Sequence, residues 1–286
     1  MSVNLKPISK IELIEKFKQI EALGWIENTT RQNNDGAVGN KLEDLLGIPE
    51  NNLPIPNAAE WELKTQRDNT TSLLTLFHLE PSPRALNIVP TLLLLKYGWP
   101  HQQAEIKYPK DEKSFRGTLN ATTYTRGFRV CMNNEERKVC IQFDANKVID
   151  KDQEWLQSVQ LRVGNLNDLD PMPYWGFDDL FSKARTKLLN CFYVQAEIKT
   201  ENQKTFFHYY RVLMLHSLNL NKFLAAMNSG KIYIDFDART GHNHGTKFRL
   251  RASDIPELYE TVTVVIDAPK LKTAKMNGRQ QSKKLF

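Results

Sequence analysis

Segments with helical spacing and segments with strand spacing alternate along nearly the whole chain, and obvious domain linkers between them are poor. Interleaving of that kind over 286 residues predicts an α/β or α+β fold, a mixed central sheet flanked by helices, in one compact chain with two lobes. ISKIELIEKFKQIEA (residues 8–22) places Ile11, Leu13, Ile14, Phe17 and Ile20 at helical spacing, with Ser9 as N-cap. AVGNKLEDLLGI predicts a second helix, stopped by Gly47. The three prolines of PENNLPIPN exclude a helix and deliver an extended chain to EWELKTQ, where Trp61 and Leu63 alternate with Glu62 and Lys64 as in a strand. SLLTLFHL reads as a buried neighbouring strand. Beyond a turn-rich middle section, roughly Tyr97 to Asn134, TTYTRGFRVCM and KVCIQFDAN predict a hairpin through Asn133-Asn134. FDDLFSKARTKLLN and LNLNKFLAAMN predict helices around the strands CFYVQAEIK and KTFFHYYRVLML. The chain then runs through KIYIDFDA, TKFRLR, a short helix in ASDIPELYE, and TVTVVID.

Composition narrows the class. Hydrophobic residues make up 41% and charged residues 25%, the balance of a globular protein rather than a disordered or fibrous one. The most apolar run, Ile88 to Leu95, is broken by Pro90 and is too short to cross a bilayer. Charges throughout the first twenty residues leave no signal core, so a cytoplasmic protein without membrane attachment is expected. Cys131, Cys140 and Cys191 form no CxxC pair and read as reduced, mostly buried thiols. The formal charge of +6 is concentrated. Six basic residues and no acid lie between Ala268 and Phe286, and without them 33 basic residues face 33 acidic ones. Residues 268–286 therefore read as a flexible basic tail. A second acid-free cluster holds Arg239, His242, His244, Lys247, Arg249 and Arg251.

Glu62 and Lys64 stand two apart on a strand and project from one face. A carboxylate beside an ammonium suits phosphodiester hydrolysis. The carboxylate holds a divalent ion, and the ammonium positions water and offsets phosphate charge. Glu-x-Lys alone proves little, since it recurs as Glu105–Lys107 and Glu197–Lys199, and such pairs are usually surface ion pairs. Only the first follows a proline-rich extended segment and a helix bearing an acid, Glu43.

GAVGNKLEDLLGI, NNLPIPNAAEWELKTQR and SLLTLFHLEPSPR, followed by YWGFDDL, KLLN–CFYVQAEIK–YYR and HNHGTKFR, resemble the MvaI/BcnI-type restriction endonucleases, MutH-related members of the PD-(D/E)xK nucleases. The resemblance runs collinearly over most of residues 30–267. It implies a restriction-endonuclease-like core with two lobes around a DNA cleft, residues 1–130 mainly catalytic and 131–267 mainly recognising DNA while completing the core. It also implies a type II endonuclease that is magnesium-dependent, with manganese able to substitute, and monomeric on double-stranded DNA. A site with CC and GG flanking the centre and a cognate DNA methyltransferase as genetic partner follow as well.

On this chain Glu43 matches the family's helix glutamate, and Glu62 and Lys64 match its E-x-K. The metal would rest on position 57, Glu62 and Leu63. The family's aspartate falls at Asn57, a neutral and weaker ligand for a hard cation. Two readings follow: a substitution that traps uncleaved DNA, or natural divergence leaving a catalytically impaired, sequence-specific DNA-binding protein. A partner-activated, MutH-like nickase is the other alternative. In the second cluster, arginine forks suit guanine edges and imidazoles suit major-groove base edges. The matching HxHGTxFR stretch of relatives reads the site, so His242, His244 and Arg249 are base-contact candidates, with Asn243 a weaker one and Arg239 and Lys247 beside them. Without the resemblance these residues read first as a polar surface loop with incidental histidines, or as a zinc site. His78, in an apolar run, is either a core residue or, as in some relatives, a contact to the central base pair. His101, His208 and His216 belong to no motif.

Overall fold

The computed structural model describes residues 8–29, 36–48, 60–68 and 70–271. Ser9 and Glu12 close a capping box at the start of α1 (Lys10–Ala22), each side chain accepting from the other's backbone N–H. Leu13, Phe17 and Ile20 are buried, while Ile11 turns to solvent. α2 (Ala37–Leu46) ends at Gly47, whose φ of 72° is the left-handed cap that glycine supplies without strain.

Both helices cover one face of a five-stranded sheet. β1 (Ile26–Glu27) and β14 (Tyr259–Asp267) pair with β10 (Lys204–Leu218), β10 pairs with β9 (Asn190–Glu201), and β9 pairs with β2 (Trp61–Arg67). The β2–β9 pairing is parallel and the others are antiparallel, so the sheet is mixed, as expected. Trp61 and Leu63 bury against Phe192, Val194, Phe17 and Leu42 under the helices. Phe192 stacks obliquely on Phe17 and Trp61, with ring centroids 5.1 and 4.7 Å apart. Burial of that face obliges the alternate residues of β2, Glu62 and Lys64, to point the other way.

A parallel pair needs a crossover, and residues 68–189 supply it by building most of a second body. There β3 (Leu74–His78), β4 (Trp99–Pro100) and β5 (Lys113–Leu119) join β11 (Ile232–Arg239), β12 (His242–Asn243) and β13 (Lys247–Leu250) in the order β3–β13–β11–β5–β4, with β12 on β11. A third sheet holds the expected hairpin, β6 (Phe128–Asn133) and β7 (Lys138–Phe143), plus β8 (Tyr174–Gly176), but Asn133 pairs with Lys138 and the turn falls at residues 134–137 rather than at Asn133-Asn134. Between and beside these lie a π-helical turn, Val89–Leu94, running into α3 (Leu95–Tyr97), then α4 (Gln153–Val163), α5 (Phe177–Leu188) and α6 (Leu220–Asn228).

One expectation of pairing is corrected. The strand in SLLTLFHL is not a neighbour of β2; it is β3, and it pairs with β13, Phe77 opposite Phe248 and His78 opposite Lys247. An apolar run specifies a covered strand but not its partner. The apolar run at 88–95 is helical despite Pro90, because proline at the first turn forfeits no hydrogen bond. Cys131 and Cys140 face each other across the hairpin as reduced thiols. Among the described residues no helix is long and apolar enough to cross a membrane. After β14 the chain turns back onto the first sheet. Ala268 N–H donates to the Tyr210 carbonyl, Lys270 pairs with Asp68, and Leu271 N–H donates to the Glu197 carboxylate. The remaining basic tail, from residue 272, and the proline segment lie outside the described residues.

Candidate active site

The Glu62 carboxylate is 2% exposed. Its Oε1 lies 2.8 Å from Lys64 Nζ and 3.6 Å from Lys187 Nζ, on the last turn of α5. Its Oε2 is buried without a hydrogen-bond partner. A carboxylate taken this far from water costs several kcal/mol, roughly, which paired cations offset only in part. The unmet oxygen adds about 1–3 kcal/mol. An orphaned buried acceptor of this kind marks a functional position rather than a stabilising one. Cys191, across the parallel ladder from Glu62, is completely buried, and desolvation holds its thiol up and unreactive.

α5 sets the second lysine. Phe177, Leu180, Ala184 and Leu188 bury one face. Its acidic first turn is tied by Asp178 to Arg137 and by Asp179 to Arg84, and its basic last turn suits the helix dipole. Tyr259 Oη donates to the Leu188 carbonyl at 2.9 Å, fixing that last turn beside Glu62. Sequence reasoning missed Lys187. Nothing in KARTKLLN separates it from the other basic residues on an amphipathic helix, and it lies over a hundred positions from Glu62.

Glu43 is half-buried on α2, the helix that packs along β2, whereas Asp44 is exposed. Leu63 buries its side chain under the helices, so only its backbone carbonyl is left to ligate. Asn57 lies outside the described residues.

His78 ends β3, and its ring sits among three cations. The side chain is exposed, so His78 is not a core residue; partial desolvation by its neighbours lowers its pKa first, and Lys247, Lys187 and Lys64 lower it further against the opposing pull of Glu80. The field of both lysines at Glu62 thus reaches the same imidazole that lies opposite Lys247. His78 therefore stands where the E-x-K strand and the basic cluster adjoin.

In that cluster, β12 folds back on β11, and His242 on it and His244 just beyond it are exposed, ring centroids 4.2 Å apart. His244 N–H donates to the Asp237 carbonyl, and Asn243 Oδ1 accepts from Gly245 N–H at 2.9 Å, so the Asn243 side chain shapes the turn. Arg239 pairs with Glu112 at 3.2 Å and lies 4.8 Å over the Tyr108 ring. Lys247 pairs with Asp237 at 3.2 Å, and Arg116 pairs with the same carboxylate at 2.8 Å. Burial alone would raise the Asp237 pKa, but these cations and His244 bring it below the ordinary value. Arg249 donates to Asp235 at 2.9 Å and to the Leu73 carbonyl at 2.8 Å. The structure thus gathers Glu62, Lys64 and His78 with Lys187, and gathers Arg239 to Lys247 on one loop, while Arg249 is tied into the sheet beneath. His208 is a buried partner of Glu197, and His101 caps its own loop.

A basic loop on one sheet beside an E-x-K strand at the edge of another defines a site-specific deoxyribonuclease. The profile of the MvaI/BcnI restriction endonuclease family matches residues 14–259, and the chain belongs to that family, whose members are type II restriction endonucleases using divalent metal ions. In fold it is similar to restriction endonuclease MvaI bound to its cognate DNA, with a TM-score of 0.69 and 24% identity, covering 91% of this chain and all of that one. MvaI without DNA is 22% identical over 90% of this chain, with a TM-score of 0.49. No curated protein matches in sequence.

The residues present fit a hard divalent cation in one respect that the geometry shows: Glu62 Oε2 is a buried oxygen with no other partner. Among the described residues no three His, Cys, Asp or Glu side chains cluster as a ligand set. Within the described residues, a cation at Glu62 would draw further ligands from backbone carbonyl, water and substrate phosphate.

Proposed function

We propose that the chain hydrolyses DNA phosphodiester bonds at a short CC/GG-flanked site, with Glu62, Lys64 and Lys187 as its hydrolytic centre. The observation that carries this is the buried Glu62 carboxylate, bracketed by two lysines on one oxygen and unpaired on the other. A magnesium ion, or manganese in its place, would be held by Glu62, the Leu63 carbonyl and position 57, and would supply an acidified water and charge neutralisation at the phosphate. Lys64 holds the attacking water beside Glu62, and Lys187 offsets phosphate charge from the opposite wall. Glu43 orients water from α2.

The E-x-K sheet with α1 and α2 is the catalytic lobe, and His242, His244, Asn243, Arg239 and Lys247 approach base edges from the other. His78 lies between them, facing the centre of the site. Arg249 acts from behind the loop. The protein works as a cytoplasmic monomer beside a cognate DNA methyltransferase.

Asn57 favours a second reading, a site-specific binder that cleaves slowly or not at all, because an amide holds a hard cation weakly. Magnesium-dependent cleavage of an unmethylated plasmid by this protein and by Asn57→Asp separates the two. Discrete fragments from the aspartate form alone support the hydrolytic centre with a disabled ligand, and fragments from both mean that another group replaces that ligand. A site-selective protein that leaves DNA intact in both forms is a binder.

A further inference from the structure

We infer that Glu80 is a positioning residue for site readout, holding the 242–245 loop in register with the DNA; the inference rests on the reading of that loop as the base-contacting element. Glu80 lies two residues beyond His78, outside both motifs. Its Oε1 accepts from the Thr246 N–H at 2.8 Å and its Oε2 from the Thr246 hydroxyl at 3.2 Å. Thr246 is 0% exposed, whereas Gly241 to His244 are exposed and Gly245 is half-buried. The adjoining backbone completes the clamp, since Leu79 N–H donates to the Thr246 carbonyl at 3.0 Å. Every polar group of Thr246 is therefore met from residues 79–80.

Elsewhere the loop is held on the β11 side: β12 contributes two residues of pairing, His244 N–H donates to the Asp237 carbonyl, and Asn243 closes its own turn, so residues 79–80 supply the hold on the β3 side. Gly245, with φ of 85°, leads directly into Thr246, and a Cβ there would lie 3.5 Å from both Glu80 Oε1 and His78 Cδ2. Glu80 thus fixes the C-terminal root of the loop against the residue that faces the Glu62 lysines. Removing the carboxylate leaves two buried donors of Thr246 unmet, and the cheapest relief is a shift of the loop toward water. Misplacing base-contacting rings costs discrimination, while phosphate contacts made elsewhere keep general affinity.

The test uses the full chain in calcium buffer and a duplex recovered by that protein from a randomised library. The readout is the ratio of Kd for the same duplex with one altered base pair to Kd for the recovered duplex. Glu80→Ala should lower this ratio about tenfold, the effect of one charge-assisted hydrogen bond, while Kd for unrelated DNA stays within about twofold. Glu80→Gln, which keeps an acceptor for the Thr246 N–H, should retain most of the ratio. Thr246→Val, which removes the hydroxyl alone, should lose part of it. A selective wild type with an equally selective Glu80→Ala overturns the inference alone. So does a loss in which binding to unrelated DNA and the circular dichroism spectrum fall together, since that is collapse rather than positioning. A wild type that selects no sequence overturns the readout assignment and this inference with it.

Discussion

Replacing Lys64 by methionine should destabilise the protein even without DNA or metal. Lys64 is 13% exposed and its Nζ is 2.8 Å from a carboxylate that is 2% exposed. Breaking a buried pair from one side costs roughly 3–5 kcal/mol, because it strands the remaining charge. Here Lys187 stays at 3.6 Å, but it is 30% exposed and screened, so it recovers only part. The expected loss is about 2–3 kcal/mol, and at about 2 °C per kcal/mol for a chain of this size the Tm falls about 4–6 °C. Lys187→Met should cost only about 0.5–1 kcal/mol. In the double variant Glu62→Gln/Lys64→Met no charge is stranded, so the total loss should return to about 1 kcal/mol, giving a coupling of well over 1 kcal/mol in the double-mutant cycle. Thermal and urea unfolding of wild type, Lys64→Met, Glu62→Gln and the double variant measure it. A double variant as unstable as the sum of its singles would refute the argument, and Glu62 would then be solvated rather than buried between lysines.

Three further outcomes follow from single contacts. The lowered pKa of His78 means that the folded state resists protonating it, so its contribution is intact above the unfolded value of about 6.5 and is lost as pH falls through the folded pKa; His78→Gln should flatten Tm against pH below about 6.5, and an unchanged slope counts against the cationic surroundings. Arg249→Gln breaks the bonds to Asp235 and the Leu73 carbonyl and should lower Tm by about 2–4 °C in the absence of DNA, whereas a side chain serving only base contact would leave Tm alone. Gly127, with φ of 79°, leaves its missing Cβ 2.7 Å from the Asp144 carbonyl oxygen, so Gly127→Ala should cost about 2–4 kcal/mol by urea unfolding, and a neutral substitution would contradict that backbone.

How much could be read in advance depended on whether the information was local. The capping box of α1, the stop at Gly47, the β6–β7 hairpin and the strand of Glu62 and Lys64 all rest on neighbours within a few residues, and each formed where periodicity placed it. The partner of β3 was not legible, because Leu76 and Phe77 satisfy any covered sheet and their place beside Phe248 is decided more than 160 residues later. Lys187 and Glu80 were invisible for the same reason. Their chemistry comes from Glu62 and Thr246, and a lysine on a helix or a glutamate after a strand carries no spacing that announces such a contact.

The same long-range contacts explain why the two halves of the site keep a fixed relation. Leu79 is bonded through its N–H to Thr246 and through its carbonyl to Trp175 Nε1 at 3.0 Å. Trp175 is wholly buried on β8, and β8 runs without a loop into α5, whose last turn carries Lys187 to Glu62. Residues 79–80 therefore anchor the 242–245 loop on one side and the strand that launches the second lysine on the other. A displacement of that segment must move both or break buried hydrogen bonds, each worth about 1 kcal/mol with a larger penalty for the donor left unmet. Attachment of both elements to one segment holds a loop on the six-stranded sheet and a carboxylate on the five-stranded sheet in a constant spatial relation.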